Sequence, residues 1–136
     1  MIKDARLGKE IMVTVTNKIG ILADMSKILA QHGVNIVAVA GYAAENQTAK
    51  IILVAEDNLR AVDALKKAGY KSVSEREALI IELENKTGAL ECLTAKLASE
   101  NIDIKQLYGT VCSAGCPAKI VISTSDNAKA LVAFKK

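Results

Sequence analysis

The chain repeats itself, and for so short a sequence no other feature constrains the fold as much. Shifting the sequence by 68 residues lays Ile11–Tyr42 over Leu79–Thr110. Identities fall at Asn17/Asn85, Lys18/Lys86, Gly20/Gly88, Leu22/Leu90, Leu29/Leu97, Ala30/Ala98, Ile36/Ile104 and Gly41/Gly109, eight of 32 positions. Chance gives about two or three. Apolar character is kept where identity is lost, as at Val13/Ile81, Val15/Leu83, Met25/Leu93 and Val34/Ile102. One inserted residue later, Ala49-Lys50-Ile51 meets Ala118-Lys119-Ile120, and Asp57-Asn58 meets Asp126-Asn127. A unit of about 65 residues is near the lower limit for a free-standing core, so each half is expected to need the other.

Both copies read the same way. Glu10–Thr16 alternates and is rich in β-branched residues, the pattern of a strand with one buried face. After the break at Asn17–Gly20, Leu22, Met25, Ile28 and Leu29 recur at helical spacing, and Gly33 stops that helix. Val34–Ala43 and Ala49–Ala55 are two further strands around the polar turn Glu45–Gln47. Asp57 or Asn58 caps a second helix with Leu59, Val62 and Leu65 inward, Gly69 ends it, and Tyr70–Glu75 is a weaker fourth strand. The second copy gives strand Ala78–Glu84, helix Ala89–Asn101, strands Ile102–Val111 and Ala118–Thr124, and helix Asp126–Phe134. The order β-α-β-β-α-β predicts an α+β fold of two ferredoxin-like units, residues 9–76 and 77–136, joined at Ser74–Glu77, with antiparallel sheets and helices on one face. The second copy lacks a clear last strand. Its first strand, Leu79–Leu83, is therefore expected at an open edge, to be covered by Met1–Lys9 or by a second chain.

Composition narrows the function. Net charge is only +3, from 18 Lys+Arg against 15 Asp+Glu spread along the chain, and aromatics are 3% with no Trp. Nucleic acid as a partner would want clustered basic residues and stacking platforms, so it is not expected. No apolar run approaches the length that spans a bilayer, and Met1–Glu10 is too charged for a signal peptide, so no membrane role and a cytoplasmic location are expected. Three cysteines, all in the second half, do not look like a disulfide framework, and reduced thiols are the expectation.

The matched turns Asn17–Leu22 and Asn85–Leu90 carry the candidate site. Each joins a strand to a helix, its glycine permits close approach, the helix start favours a carboxylate, and Asn can serve both charged ends of an amino acid. A tight structural turn needs the same residues. On the pattern Asn-Lys-x-Gly-x-Leu, followed by an amphipathic helix and by Gly33-Val34-Asn35-Ile36 or Asn101-Ile102-Asp103-Ile104, the chain resembles the ACT-domain family as two tandem copies over Glu10–Phe134. The resemblance implies regulatory binding of an amino acid, at a seam formed by Val34–Ala43 beside Ile102–Val111. It also implies two sites. The first consists of Asn17, Ile19, Gly20, Ile21, Leu22 and Asn35, and its pseudo-symmetric partner of Asn85, Thr87, Gly88, Ala89, Leu90 and Asp103. Asn17 and Asn35 further match the two asparagines of the serine-sensing domain of phosphoglycerate dehydrogenase, although Val15 stands where that pattern has His. Glu84–Leu90 is similar to the valine-sensing regulatory subunit of acetohydroxyacid synthase. A homodimer and a metabolic enzyme or regulator are the implied partners. An assembly module or a regulatory subunit without its own ligand site is the alternative.

Other chemistry has little support. A closed zinc site would have to recruit Cys92, Cys112, Cys116 and His32 from distant places, so no metal is expected. Cys112 and Cys116, three residues apart in a loop, make a redox role the more plausible exotic reading. The sequence has no phosphate-binding loop or nucleophile elbow, and Glu82 and Glu84 read as a solvated strand face, so neither catalysis nor a cofactor is expected.

Overall fold

A computed structural model describes residues 1–111 and 115–136. The elements run β1 (Ile2–Thr16), α1 (Ile21–Gln31), β2 (Ile36–Ala43), β3 (Thr48–Ala55), α2 (Asn58–Lys67), β4 (Val73–Leu83), α3 (Ala89–Ser99), β5 (Ile104–Thr110), β6 (Ala118–Thr124) and α4 (Asn127–Phe134). The fold is α+β and ferredoxin-like, with β1 and β2 each antiparallel to β3, and β4 and β5 each antiparallel to β6.

Two compact units result. One is Lys9–Arg76; the other joins Met1–Gly8 to Glu77–Lys136. The second unit therefore does not lack its last strand: the first part of β1 takes that place beside β4. The Glu84 amide donates to the Met1 carbonyl at 2.8 Å, and Ala5 is buried in the core of this unit with Ile2 packed against it. Ser74–Glu77 is not a linker either, because β4 runs unbroken from Val73 to Leu83. An edge that exposes Leu79 and Ile81 is a pairing hazard, and the first residues of the chain cover it.

The repeat extends to detail. Asp57 accepts from the Arg60 amide and Asp126 from the Lys129 amide, each at 3.0 Å, capping α2 and α4. The carboxamides of Asn58 and Asn127 each accept from the strand just before, from the Ala55 and Thr124 amides at 2.9 Å. They also donate across the unit, to the carbonyls of Lys9 and Glu77. In the first unit Ile11, Val13, Ile51 and Leu53 join Met25, Leu29, Ala61 and Leu65 in one core, and the second unit has the matching set around Leu79, Ile81, Leu93 and Ile122.

Two expected core residues are exposed. The α1 stripe is Ile21, Met25, Ile28 and Leu29, so Leu22, one residue further round, faces solvent. On α2 the buried stripe is Ala61, Ala64 and Leu65, which leaves Leu59 on the far side and 78% exposed. Short alanines let α2 lie close to the sheet; counting only large residues misplaces its face.

Candidate ligand site

At the end of β1 the chain turns sharply. The Asn17 amide donates to the Gln47 carbonyl at 2.7 Å, Ile19 stands fully in solvent, and Gly20 opens α1 at φ +89°. A Cβ at Gly20 would touch nothing, so the glycine is there for its left-handed backbone. Gly88 repeats this at φ +87° before α3. No side chain caps α1 or α3, whereas both other helices have an aspartate cap. The first amide of each of these helices bonds instead to the turn before it, Ile21 to the Lys18 carbonyl and Ala89 to the Lys86 carbonyl, each at 3.2 Å.

The asparagines expected to act together stand apart within one unit. Thr16, just before Asn17, lies opposite Thr48 at the start of β3, while Ile36, just after Asn35, lies opposite Ala55 at its end. Seven strand steps separate them by roughly 23 Å. Asn35 instead donates to the Glu56 carboxylate at 3.0 Å, and its carbonyl accepts from the Glu56 amide. The second unit follows the same plan. Asp103 accepts from the Ser125 amide through its carbonyl and pairs with Lys105 at 3.0 Å, and Asn85 sits at the other end of β6 beyond the Leu83/Ala118 pair. Of the other predicted residues, Thr87 and Leu90 are exposed, and Ala89, the first residue of α3, is buried.

Each unit has a cavity against its turn. In Lys9–Arg76 it measures about 340 Å³ and is lined by Thr14, Val15, Thr16, Lys18 and Ile21 on one side and Gly69–Ser72 on the other. Only Ile21 was among the predicted ligand residues. Lys18 is an identity of the repeat, with Lys86, but no charged-ligand role is legible for it in the sequence alone. Lys50 reaches Thr14, its Nζ donating to the hydroxyl at 2.9 Å. The Tyr70 hydroxyl donates to the Asp24 carboxylate; burial first, then that bond and the nearby negative charge, push the phenol up to about 12. Tyr70 therefore stays protonated and fixes one wall of the cavity.

The second unit's cavity is about 180 Å³, between Lys3, Glu84, Asn85, Lys86 and Gly115–Pro117. Here Glu84 pairs with Lys86 at 2.9 Å and lies 3.4 Å from the Met1 amino group. The bond and charge from Lys86, more than the terminus, hold its carboxyl below the usual range. Cys116 is in a disulfide, which corrects the expectation of reduced thiols, while Cys92 is free. Cys112 lies outside the described residues.

Comparison with known proteins finds one family match, within the first unit. Residues 9–68 match the ACT domain. No curated protein matches the chain. Among solved structures, protein BT0572 from Bacteroides thetaiotaomicron aligns with a TM-score of 0.86 at 24% identity, covering 96% of this chain and 88% of that one. The ligand-free regulatory subunit of aspartate kinase from Thermus thermophilus aligns at 0.68 and 14% identity, covering 98% and 96%. Aspartokinase alpha and beta subunits align at 0.66 and 14%, covering 99% and 95%. These likenesses show that the fold of the whole chain, beyond the ACT match, is one found in regulatory subunits. No described helix is long and apolar enough to cross a membrane.

Proposed function

We propose that this chain is a tandem ACT protein that binds an amino acid at the β1–α1 turn of its first unit and regulates a partner, without catalysis of its own. The observation that carries the reading is the cavity of about 340 Å³ lying against an exposed, uncapped turn inside the ACT match. Regulation through another protein fits a fold shared with separate regulatory subunits of aspartate kinase. An effector that also touches Asn35 must take it from a different copy of the chain, given the separation within the unit. That makes a homodimer part of the reading. Ligand binding then acts by its differential affinity for two states of the assembly, typically about 1–3 kcal/mol.

The rival reading is an assembly module with a disused site, and the exposed Val39 and Tyr42 on β2 favour it. A thermal-shift screen against the twenty common amino acids separates the two. A ligand at about 100 times its dissociation constant stabilises the fold by about 2.7 kcal/mol. One amino acid should shift the transition by several degrees, and Lys18→Ala, at a residue lining the cavity, should remove most of that shift. A flat screen would favour the assembly module.

A further inference from the structure

The two cavities differ at one equivalent position in a way that points to what the first one takes. Thr16 and Glu84 correspond in the repeat, as do Lys18 and Lys86, and each of the four lines the cavity of its own unit. In the second unit the carboxylate of Glu84 already sits on Lys86, 2.9 Å away. In the first unit no carboxylate lines the cavity, and Lys18 and Lys71 have no ion pair among the described residues. The two units thus differ in whether a carboxylate of the chain sits on the lysine of the turn.

Resting on the reading of the first unit as the effector site, we propose that its cavity holds the carboxylate of the effector on Lys18 and Lys71, in the place that Glu84 fills in the second unit. The second unit is then a self-occupied copy, and one carboxylate ligand binds per chain. A carboxylate meeting two ammonium groups and the Thr16 and Ser72 hydroxyls gains charge-assisted hydrogen bonds that a neutral ligand cannot. The same physics explains why Glu84 closes the second site: its own carboxyl satisfies the lysine at high effective concentration.

The test uses sodium acetate as a bare carboxylate, titrated into the full chain with sodium chloride keeping ionic strength constant, and amide chemical shifts as the readout. Saturable shifts are expected at Lys18 and Ser72 but not at Lys86. Thr16→Glu should weaken them at least fivefold, and Glu84→Thr should create a second set at Lys86. Both substituted side chains are at least partly exposed, and unchanged dispersion of the remaining amides verifies folding. Lys18 shifts that match the chloride control, or that survive Thr16→Glu undiminished, overturn the proposal, and so does Glu84→Thr without a second set. Acetate shifts together with a flat amino-acid screen would retain this carboxylate site and reject the amino-acid reading. An amino-acid hit whose affinity ignores Thr16→Glu would do the reverse.

Discussion

In the unit Lys9–Arg76 the first strand ends on Thr16 beside two lysines that have no ion pair among the described residues; in the other unit it ends on Glu84, which holds Lys86. Elsewhere the copies agree closely, down to the asparagines that tie each third strand to the start of the first. Duplication has kept what the cores and turns need, and the copies have diverged in charge at the open end of each unit. The buried charges differ as well. Glu10, 1% exposed, pairs with Arg76 at 2.5 Å, whereas its counterpart in the second unit is Ala78, wholly buried and neutral.

The largest effect should come from the strand that the second unit takes from the start of the chain. Ala5→Glu places a carboxylate in that core, and burying it without a partner should cost roughly 4 kcal/mol or more. Val73→Glu should do the same in the first unit, where Val73 is the matching core residue of the last strand. Denaturant midpoints for the pair measure this, and an Ala5→Glu protein of unchanged stability would break the equivalence. Next is Arg76→Met, which takes the guanidinium away from the buried Glu10 carboxylate; about 3 kcal/mol is expected. Glu10→Gln added to that variant should recover much of the loss.

A smaller contrast separates the two glycines facing isoleucine across the sheet. A Cβ at Gly109 would lie 2.3 Å from the Ile120 Cδ1 and 3.0 Å from the Lys119 carbonyl oxygen, whereas at Gly41 the nearest atom, the Ile51 Cδ1, is 3.1 Å away. Gly109→Ala should cost about 2 kcal/mol and Gly41→Ala about 1 or less, since a rotamer change relieves only the second. Reversal of that order would show that the two hairpins do not share their packing.

The smallest effect is a titration. Tyr70 has its folded-state pKa raised to about 12 from the model-compound value of 10.0. Its contribution to stability is therefore complete below pH 10 and is lost as pH rises towards 12. Phenolate absorbance should show one of the three tyrosines ionising late, and Asp24→Asn should bring it down by removing the neighbouring charge.

Much of this was legible from residue order. The helix caps at Asp57 and Asp126, the left-handed glycines and the β-α-β-β-α-β plan follow from local chemistry that the repeat displays twice. What stayed hidden depends on pairing between distant segments. Met1–Gly8 carries few large apolar residues, so only the open Leu79–Leu83 edge pointed to it as a cover, with a second chain as the alternative. Leu59 reads as inward by size, yet the close approach of Ala61 and Ala64 turns it out. Asn17 and Asn35 look like one site in sequence because their spacing matches a known pattern; the parallel course of β1 and β2 puts them at opposite ends of a unit. Lys18 was in view as an identity, but its meaning needed the contrast between Thr16 and Glu84, which is a difference between copies.

The most direct test of the account is the stoichiometry of effector binding, measured by calorimetry with the amino acid that gives the largest thermal shift. The account predicts one molecule per chain for the natural sequence and two for Glu84→Thr. Two equivalent sites in the natural sequence would contradict it.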